Sequence, residues 1–433
     1  MAAAWRLLRL KNNNICWRNI MPVSNGSQNT AKVGVWIQGT LGDIATTMMV
    51  GALAIRQGLT SPQGMVTHLA PLDRLNLISL DQVVFGGIDI KSATVADTAA
   101  AVHRASRTFS HETLQSVLPA LTDIQADILS DPDFAWRPRA RRPDQAPLAE
   151  IVDRMRRHIR GFRDRHDLTH VVAVNLISAE PWAAASAAQQ RLDAFEDAVA
   201  TDAKALITPS MCGAYAAFME GCSHINFTPN IGAAFPAMAE LAYHLGLPYY
   251  GNDGKTGETL VKTALAPMFA YRNLLVMSWE GVNMLGNNDG ATLDDPENRA
   301  NKIHNKEGVL ESILGYKPHS GVGINYVPSL GDWKTAWDLI HFKGFLDVPM
   351  TMQFTWQGCD SILAAPLVLD MIRLSEFAAR HGERGPMRHL CSFFKNPIAV
   401  DEMALHTQFE MLVEYAAEHL RRRGKQGKNN LVA

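Results

Sequence analysis

Charge is scarce in this chain. Asp, Glu, Lys and Arg make up 19% of its 433 residues, below the roughly 25% usual in soluble domains. The 41 basic and 43 acidic side chains leave a formal charge of -2, which excludes an overall field drawing the protein to nucleic acid or to an anionic membrane. Cysteine is also rare. Cys16, Cys212, Cys222, Cys359 and Cys391 are odd in number and show neither a CxxC pair nor Cys/His metal spacing. That excludes a disulfide scaffold and a zinc module, implies no metal, and points to reduced thiols in a cytoplasmic setting. Acidic residues are missing from residues 1–42, where Arg6, Arg9, Lys11 and Arg18 flank short apolar stretches. The pattern loosely resembles a transit peptide, but it lacks a continuous apolar segment and a membrane span. Residues 1–32 therefore read as a disordered extension, with Met21 as an alternative start. Lysine is the last scarcity: there are fourteen against 27 arginines, none between Lys91 and Lys204, and seven of them fall from Lys255 to Lys343.

Apolar residues, by contrast, reach 47%, and the length predicts two or three domains or one interleaved pair. Val33 to Gln38 reads as a buried strand, followed by a glycine turn and a small-residue helix to Ile55. Met65 to Leu69 and Val83 to Ile90 are strand-like, Ala93 to Leu121 has helical spacing, and residues 122–150 read as loop or short helices. An Arg-rich helix at Leu148 to Asp164 precedes a buried strand, His170 to Ser178. Ala183 to Ala205 is helical, Ala205 to Ser210 and Ser223 to Pro229 read as strand ends, and Phe235 to Leu245 is a helix closed by Gly246. Strands alternating with helices over this length predict an α/β fold on a mostly parallel sheet. From Gly251 the turns become rich in Gly, Asn and Asp, and Val322 to Pro328 and Met350 to Gln357 alternate as in an antiparallel sheet. Residues 251–361 thus form a second domain, residues 33–250 the first, and residues 362–433 an apolar helix and a basic helical tail.

Three constellations carry chemistry. Gly39-Thr40-Leu41-Gly42-Asp43-Ile44-Ala45 stands between a strand and a helix, where backbone N–H groups and the helix dipole hold a pyrophosphate. It departs from G-x-G-x-x-G, since Leu41 replaces a glycine and Asp43 adds a negative charge; a ligand-free tight turn is the alternative. No acidic residue stands at the usual ribose spacing, and Asp89, after Gly86-Gly87, is the candidate substitute. The second constellation is Gly251 to Thr259, which precedes the helical run Leu260 to Phe269. Thr256, Gly257 and Thr259 would offer hydroxyls and N–H groups to a sugar phosphate, with Lys255 or Lys262 near; an N-capped helix is the alternative. The third is Gly286-Asn287-Asn288-Asp289-Gly290 followed by Lys302 and Lys306, whose i,i+4 spacing puts two ammonium groups on one helix face, suited to a phosphate and a developing enolate or to plain solvation. Lys334 in Gly331-Asp-Trp-Lys334, Asp360 in Gly358-Cys-Asp360, and Lys395 in Phe394-Lys-Asn-Pro397 lie at turn boundaries.

Taken in order from Val33 to Pro397, these segments resemble the myo-inositol-phosphate synthase family. The strongest pieces are the GNNDG turn with its lysine pair, GDWK at Gly331 to Lys334, and CDSILAAPLVLD at Cys359 to Asp370. The resemblance implies a Rossmann-type NAD-binding domain closed by returning C-terminal helices, with an inserted α+β domain for catalysis and oligomerisation, as a homotetramer. It further implies an isomerase: glucose 6-phosphate is oxidised at C5 by NAD, enolised by loss of a C6 proton, cyclised by attack of C6 on C1, and reduced by the same cofactor. Four family lysines carry over onto Lys302, Lys306, Lys334 and Lys395. Lys302 and Lys395 would transfer protons at the C5 and C1 oxygens, while Lys306 and Lys334 would stabilise enolate and phosphate. Asp289 and Asp360 would orient lysines or the nicotinamide ribose, Asp253 matches an aspartate near the cofactor, and Asn175 and Asn226 to Asn230 keep parts of the family's N-terminal motifs. Asn287 and Asn288 join the phosphate contacts. Clustered, desolvated lysines should have depressed pKa values.

Departures frame the alternatives. The first turn has fewer glycines than the family's, and the phosphate turn reads Thr256-Gly-Glu-Thr259, where an inward Glu258 would repel a phosphate; an outward Glu258 is expected. The competing readings are an NAD-dependent oxidoreductase of the same scaffold acting on another sugar phosphate and a non-catalytic homologue. An RNA-binding reading of Arg137 to Arg165 fails because Asp144, Glu150, Asp153 and Asp164 interleave with the arginines.

Overall fold

The structure is a computed structural model and describes residues 31–136, 144–181, 185–286 and 308–429. Most of the N-terminal extension, together with Asn287, Asn288, Asp289, Lys302 and Lys306, lies outside the described residues.

The first strand, Lys32–Gln38 (β1), is buried from Val33 onward, as expected of a strand covered on both faces. It is followed by helix Asp43–Arg56 (α1), strand Val83–Asp89 (β2), helices Val95–Ser106 (α2) and His111–Ile124 (α3), and the short strand Ile128–Ser130 (β3). Helix Leu148–His166 (α4), strand Leu168–Asn175 (β4), helix Pro209–Met219 (α5), strand Ser223–Asn226 (β5), helix Pro236–Leu245 (α6) and strand Pro248–Gly251 (β6) complete the series. The strands pair in parallel in the order β6-β5-β4-β1-β2-β3. Along β1 the side chains alternate. Val33, Val35 and Ile37 enter one apolar cluster with Met48, Met49 and Ala52 of α1, while Trp36 enters the other with Ile151, Met155 and Ile159 of α4. Helices therefore cover both faces. The strand order reverses between β1 and β4, and open sheets of this kind bind ligands at the carboxyl ends flanking such a reversal.

Helix Glu258–Tyr271 (α7) leads into a second sheet of Leu275–Leu285 (β7), His319–Tyr326 (β8), Trp333–Lys343 (β9) and Pro349–Cys359 (β10), in the order β10-β9-β7-β8. The β7/β9 and β9/β10 pairs are antiparallel, but β7 and β8 run parallel in the register Ser278↔His319 to Leu285↔Tyr326. The wholly antiparallel sheet predicted from alternation is thus corrected. Parallel neighbours cannot be joined by a tight hairpin and need a longer crossover connection. One face packs Trp279 and Ile340 against Phe269 of α7 and Leu310 of the short helix Val309–Leu314. The chain then returns: helix Asp360–Arg380 (α8) places Ala364, Val368, Ile372 and Phe377 in the first cluster, Gly385–Pro386 (β11) adds to β6, and helix Leu405–Asn429 (α9) contributes Leu412 and Ala416.

Other sequence expectations are corrected locally. Met65 to Leu69 is no strand but a 3-10 turn, Val66–His68, because the Val66 and Thr67 amides donate to the Asp370 carboxylate of α8 instead of to a ladder. Ala205 to Ser210 is no strand either; Thr208 accepts from the Met211 amide and opens α5. The single helix read over Ala93 to Leu121 breaks at Arg107, in the left-handed region at φ 50, and restarts at the Ser110 cap.

Candidate active site

Three helices begin around one cavity of about 240 Å³ at the sheet's switch point: α1 at Asp43, α7 at Glu258 and α8 at Asp360. None of the three has a side-chain cap accepting its first amides. A helix start leaves its leading N–H groups without intrahelical acceptors and carries a partial positive charge, so three such ends together form a basin for anions. Each start is itself an acidic residue, and the site resolves that conflict differently at each.

At α1, Gly39 sits at φ +87, and a Cβ there would meet the Leu176 carbonyl oxygen at 2.8 Å. The Leu41 side chain is buried in the apolar core, so it does not obstruct a phosphate as its sequence position suggested, and its amide donates to Asp89 Oδ2 at 2.8 Å. The other Asp89 oxygen accepts from the Lys91 amide at 3.0 Å. Thr40 is buried, its hydroxyl donating to the Ile37 and Ile88 carbonyls. Asp43 and Ile44 line the cavity. Burial and the neighbouring Asp332 push the Asp43 pKa up, against the pull of Lys91.

At α7, Glu258 is not turned outward. It is 3% exposed, its carboxylate 2.7 Å from Lys262 Nζ and accepting from Asn283 Nδ2 at 2.8 Å. Lys262 therefore neutralises the charge expected to repel a phosphate, and neither it nor Lys255 lies free at the phosphate turn. Lys255 is buried, its ammonium donating to Gln408 of α9, and burial lowers its pKa to about 8. Thr256, Gly257 and Thr259 line the cavity. At α8, Asp332 accepts from Cys359 Sγ at 2.8 Å and from the Ser361 hydroxyl, bracing the helix start.

The structure brings Lys334, Lys395, Asp253 and Asp360 to this same cavity. Lys395 Nζ donates to Asp253 Oδ1 at 2.8 Å, and the Lys395 amide donates to the Asp253 carbonyl at 2.7 Å, so residues 142 positions apart are locked as a pair. Lys334 Nζ lies 3.8 Å from Asp360 Oδ1 and 5.8 Å from the Trp356 ring centre. It also stands over Gly257, where a Cβ would come within 2.5 Å of it. Asn175 does not line this cavity: it is fully buried, bonded to Asn226 and Thr228, and accepts the Ile177 amide, which shapes the loop after β4. Asp332, Asn283 and Lys91 were missed as site residues, although Asp332 was readable two positions before Lys334 in the same turn.

A second cavity, about 460 Å³, adjoins the first; Gly42, Lys91 and the segment Leu176–Ala179 line both. Gly39 and Asp89 line it too, with an apolar wall of Ile90, Phe134, Trp136 and Pro209. Glu180 borders it, its carboxylate accepting from the Ser210 amide and hydroxyl, with burial raising its pKa to about 7. Two pockets joined at a glycine turn, one with an apolar wall and one with ammonium groups, suit a dinucleotide by size and lining. Among the described residues, no group of three His, Cys, Asp or Glu side chains could hold a metal, and no helix is long and apolar enough to cross a membrane.

A family model described as myo-inositol-1-phosphate synthase matches residues 33–417. The chain is 35% identical to inositol-3-phosphate synthase 1 of Bacteroides thetaiotaomicron over 88% of its own length and 94% of that protein. It is 28% identical to inositol-3-phosphate synthase of Dictyostelium discoideum over 81% of this chain and 75% of that one. Among solved structures, inositol-3-phosphate synthase from Caenorhabditis elegans superposes with a TM-score of 0.77 at 23% identity, over 89% of this chain and 85% of that one, a likeness of fold.

Proposed function

The chain belongs to the myo-inositol-1-phosphate synthase family, and from that footing we propose that it converts D-glucose 6-phosphate to 1D-myo-inositol 3-phosphate with NAD as a recycled cofactor. The observation that carries this reading is the convergence of Lys334, Lys395 and three helix starts on one cavity adjoining a dinucleotide-shaped one. The bound dinucleotide would supply the hydride acceptor and donor for C5. The chain's residues do the rest. The starts of α1 and α7, with Thr256, Gly257 and Thr259, offer N–H groups and hydroxyls to phosphate oxygens. The Lys395 ammonium, held by Asp253, would hydrogen-bond the C1 oxygen and donate a proton to it as C6 attacks C1. Lys334, oriented by Asp360 and Trp356, would stabilise the oxygen charge of the C5 enolate. Lys302, Lys306 and Asp289, outside the described residues, are assigned to this site through the family motif, with Asn287 and Asn288 at the phosphate. Atoms and electrons balance without an outside oxidant, since the product is an isomer of the substrate.

The Glu258 carboxylate had favoured a different sugar phosphate, and its pairing with Lys262 removes that argument. We read residues 33–250 with 362–433 as the cofactor-binding part and residues 251–361 as the catalytic and assembly part, in a cytoplasmic homotetramer. Free, buried Cys212, Cys222, Cys359 and Cys391 support a reducing compartment. The exposed hairpin tip at Phe345 (88%) and Leu346 (77%) supports a subunit contact. Incubating the purified chain with glucose 6-phosphate and NAD+ should give one inositol monophosphate by phosphorus NMR with no net NADH. Stoichiometric NADH and a sugar-phosphate ketone or lactone would mark a plain dehydrogenase instead.

A further inference from the structure

A carboxylate opens α1, the helix whose start should meet the cofactor's phosphates. Asp43 and Asp332 line the first cavity, with Asp332 near enough to push the Asp43 pKa up, and Asp89, at the end of β2, lines the second, so three acidic groups stand near the junction where a pyrophosphate would rest. Lys334 and Lys395 stand at the substrate end, beside Asp360 and Asp253. Lys91 is different. Among the described lysines it alone lines both cavities. Its backbone N–H is anchored on Asp89 Oδ1 at 3.0 Å, while the other Asp89 oxygen holds the Leu41 amide at 2.8 Å. Its ammonium donates to the Leu41 carbonyl at 3.3 Å, one residue before Gly42, the N-cap of α1. The same aspartate thus ties the glycine turn to the end of β2 and brings Lys91 over the helix start.

We propose that Lys91 is a direct ligand of the cofactor's pyrophosphate, supplying the positive charge that lets a turn containing Asp43 accept an anion. The proposal rests on the NAD reading above. A turn with more glycines would bring its amides closer to the phosphates; this chain has Leu41 and Asp43 there, and an ammonium at the mouth of the turn compensates for both. Lys91 also spans the junction of the two cavities, where the phosphates of a dinucleotide must lie if its two rings occupy one cavity each.

The test uses the full chain freed of cofactor, with NAD+ followed by calorimetry and phosphate-free adenosine by ligand-observed NMR. Lys91→Met should weaken NAD+ about tenfold or more, the loss of one charge-assisted hydrogen bond. It should also flatten the salt dependence of NAD+ binding and leave adenosine binding unchanged, whereas Lys91→Arg should keep NAD+ within about threefold of the original affinity. Asn at position 43 in the Lys91→Met background (Asp43→Asn) should recover much of the lost affinity, because the repelling charge is gone. Unchanged NAD+ affinity in Lys91→Met would overturn the proposal, and so would equal weakening of NAD+ and adenosine, which would reduce Lys91 to a brace of the turn. An unsubstituted chain that binds adenosine but not NAD+ would overturn the cofactor reading itself, a result distinct from either.

Discussion

Lys334 reaches its place because position 257 has no side chain: its Nζ occupies the space a Cβ would fill, 2.5 Å away. Gly257→Ala should therefore lower kcat by about tenfold to a hundredfold through displacement of the ammonium, with the melting temperature nearly unchanged, since a flexible lysine tip can yield. Steady-state kinetics beside thermal unfolding checks this. Lys395 and Asp253 make the sharper case. Lys395→Met should cut turnover by about a hundredfold or more through the lost proton donor, and it should cost about 1–3 kcal/mol of stability by leaving a mostly buried carboxylate without its hydrogen-bond donor. Asp253→Asn in that background should restore stability without restoring turnover. These residues were legible because each sits in a short motif with a typical neighbour. Asn283 was not, since its role comes from a partner brought in by folding, and Asp332, though it stands in the same turn as Lys334, shows its bracing role only once Cys359 and Ser361 fold against it. Glu258 was misjudged although the signal was present: Lys262 is four residues on, the spacing that places both on one helix face.

At the scale of elements, strands and helices with clear periodicity were read well, and each failure has a physical cause. Where a distant group captures backbone amides, propensity loses, as when Asp370 turns Val66 and Thr67 into a 3-10 segment. The parallel β7/β8 pair was hidden likewise, because alternation along a strand does not encode its neighbour's direction. Strand β5 carries a testable burden in His224, fully buried and edge-on to Phe218. Burial lowers its pKa from 6.5 to about 3. The unfolded imidazole takes up a proton below 6.5 and the folded one does not until about 3, so the stability contribution is complete above 6.5 and is lost as pH falls through that window. Between pH 7 and pH 5 the loss from this residue is about 2 kcal/mol. His224→Leu should lack that loss, and denaturant unfolding of both chains across this range would show the two stability curves diverging as pH falls. Parallel curves would mean that His224 takes up its proton in the folded state.

For the whole molecule, the low charge fraction noticed in the sequence has two outlets: apolar clusters on both faces of the parallel sheet, and apolar surface exposed at the β9–β10 hairpin. Aspartate at both tip positions (Phe345→Asp with Leu346→Asp) should shift the proposed tetramer to smaller species in sedimentation velocity while circular dichroism stays unchanged. An unaltered tetramer would remove the hairpin from the interface. The lysine bias is likewise a property of the whole chain. Lysines far apart in sequence meet at one cavity because α8 and the segment after it return to the first sheet, and ammonium groups, unlike guanidinium groups, can pass protons to sugar oxygens. The central claim is that one hydride leaves C5 and comes back to the same carbon within one closed site. Turnover of C5-deuterated glucose 6-phosphate in the presence of excess unlabelled NADH tests it most directly. The account predicts an inositol monophosphate that retains its deuterium at that carbon, and a product carrying protium there, or deuterium found in free NADH, would contradict it.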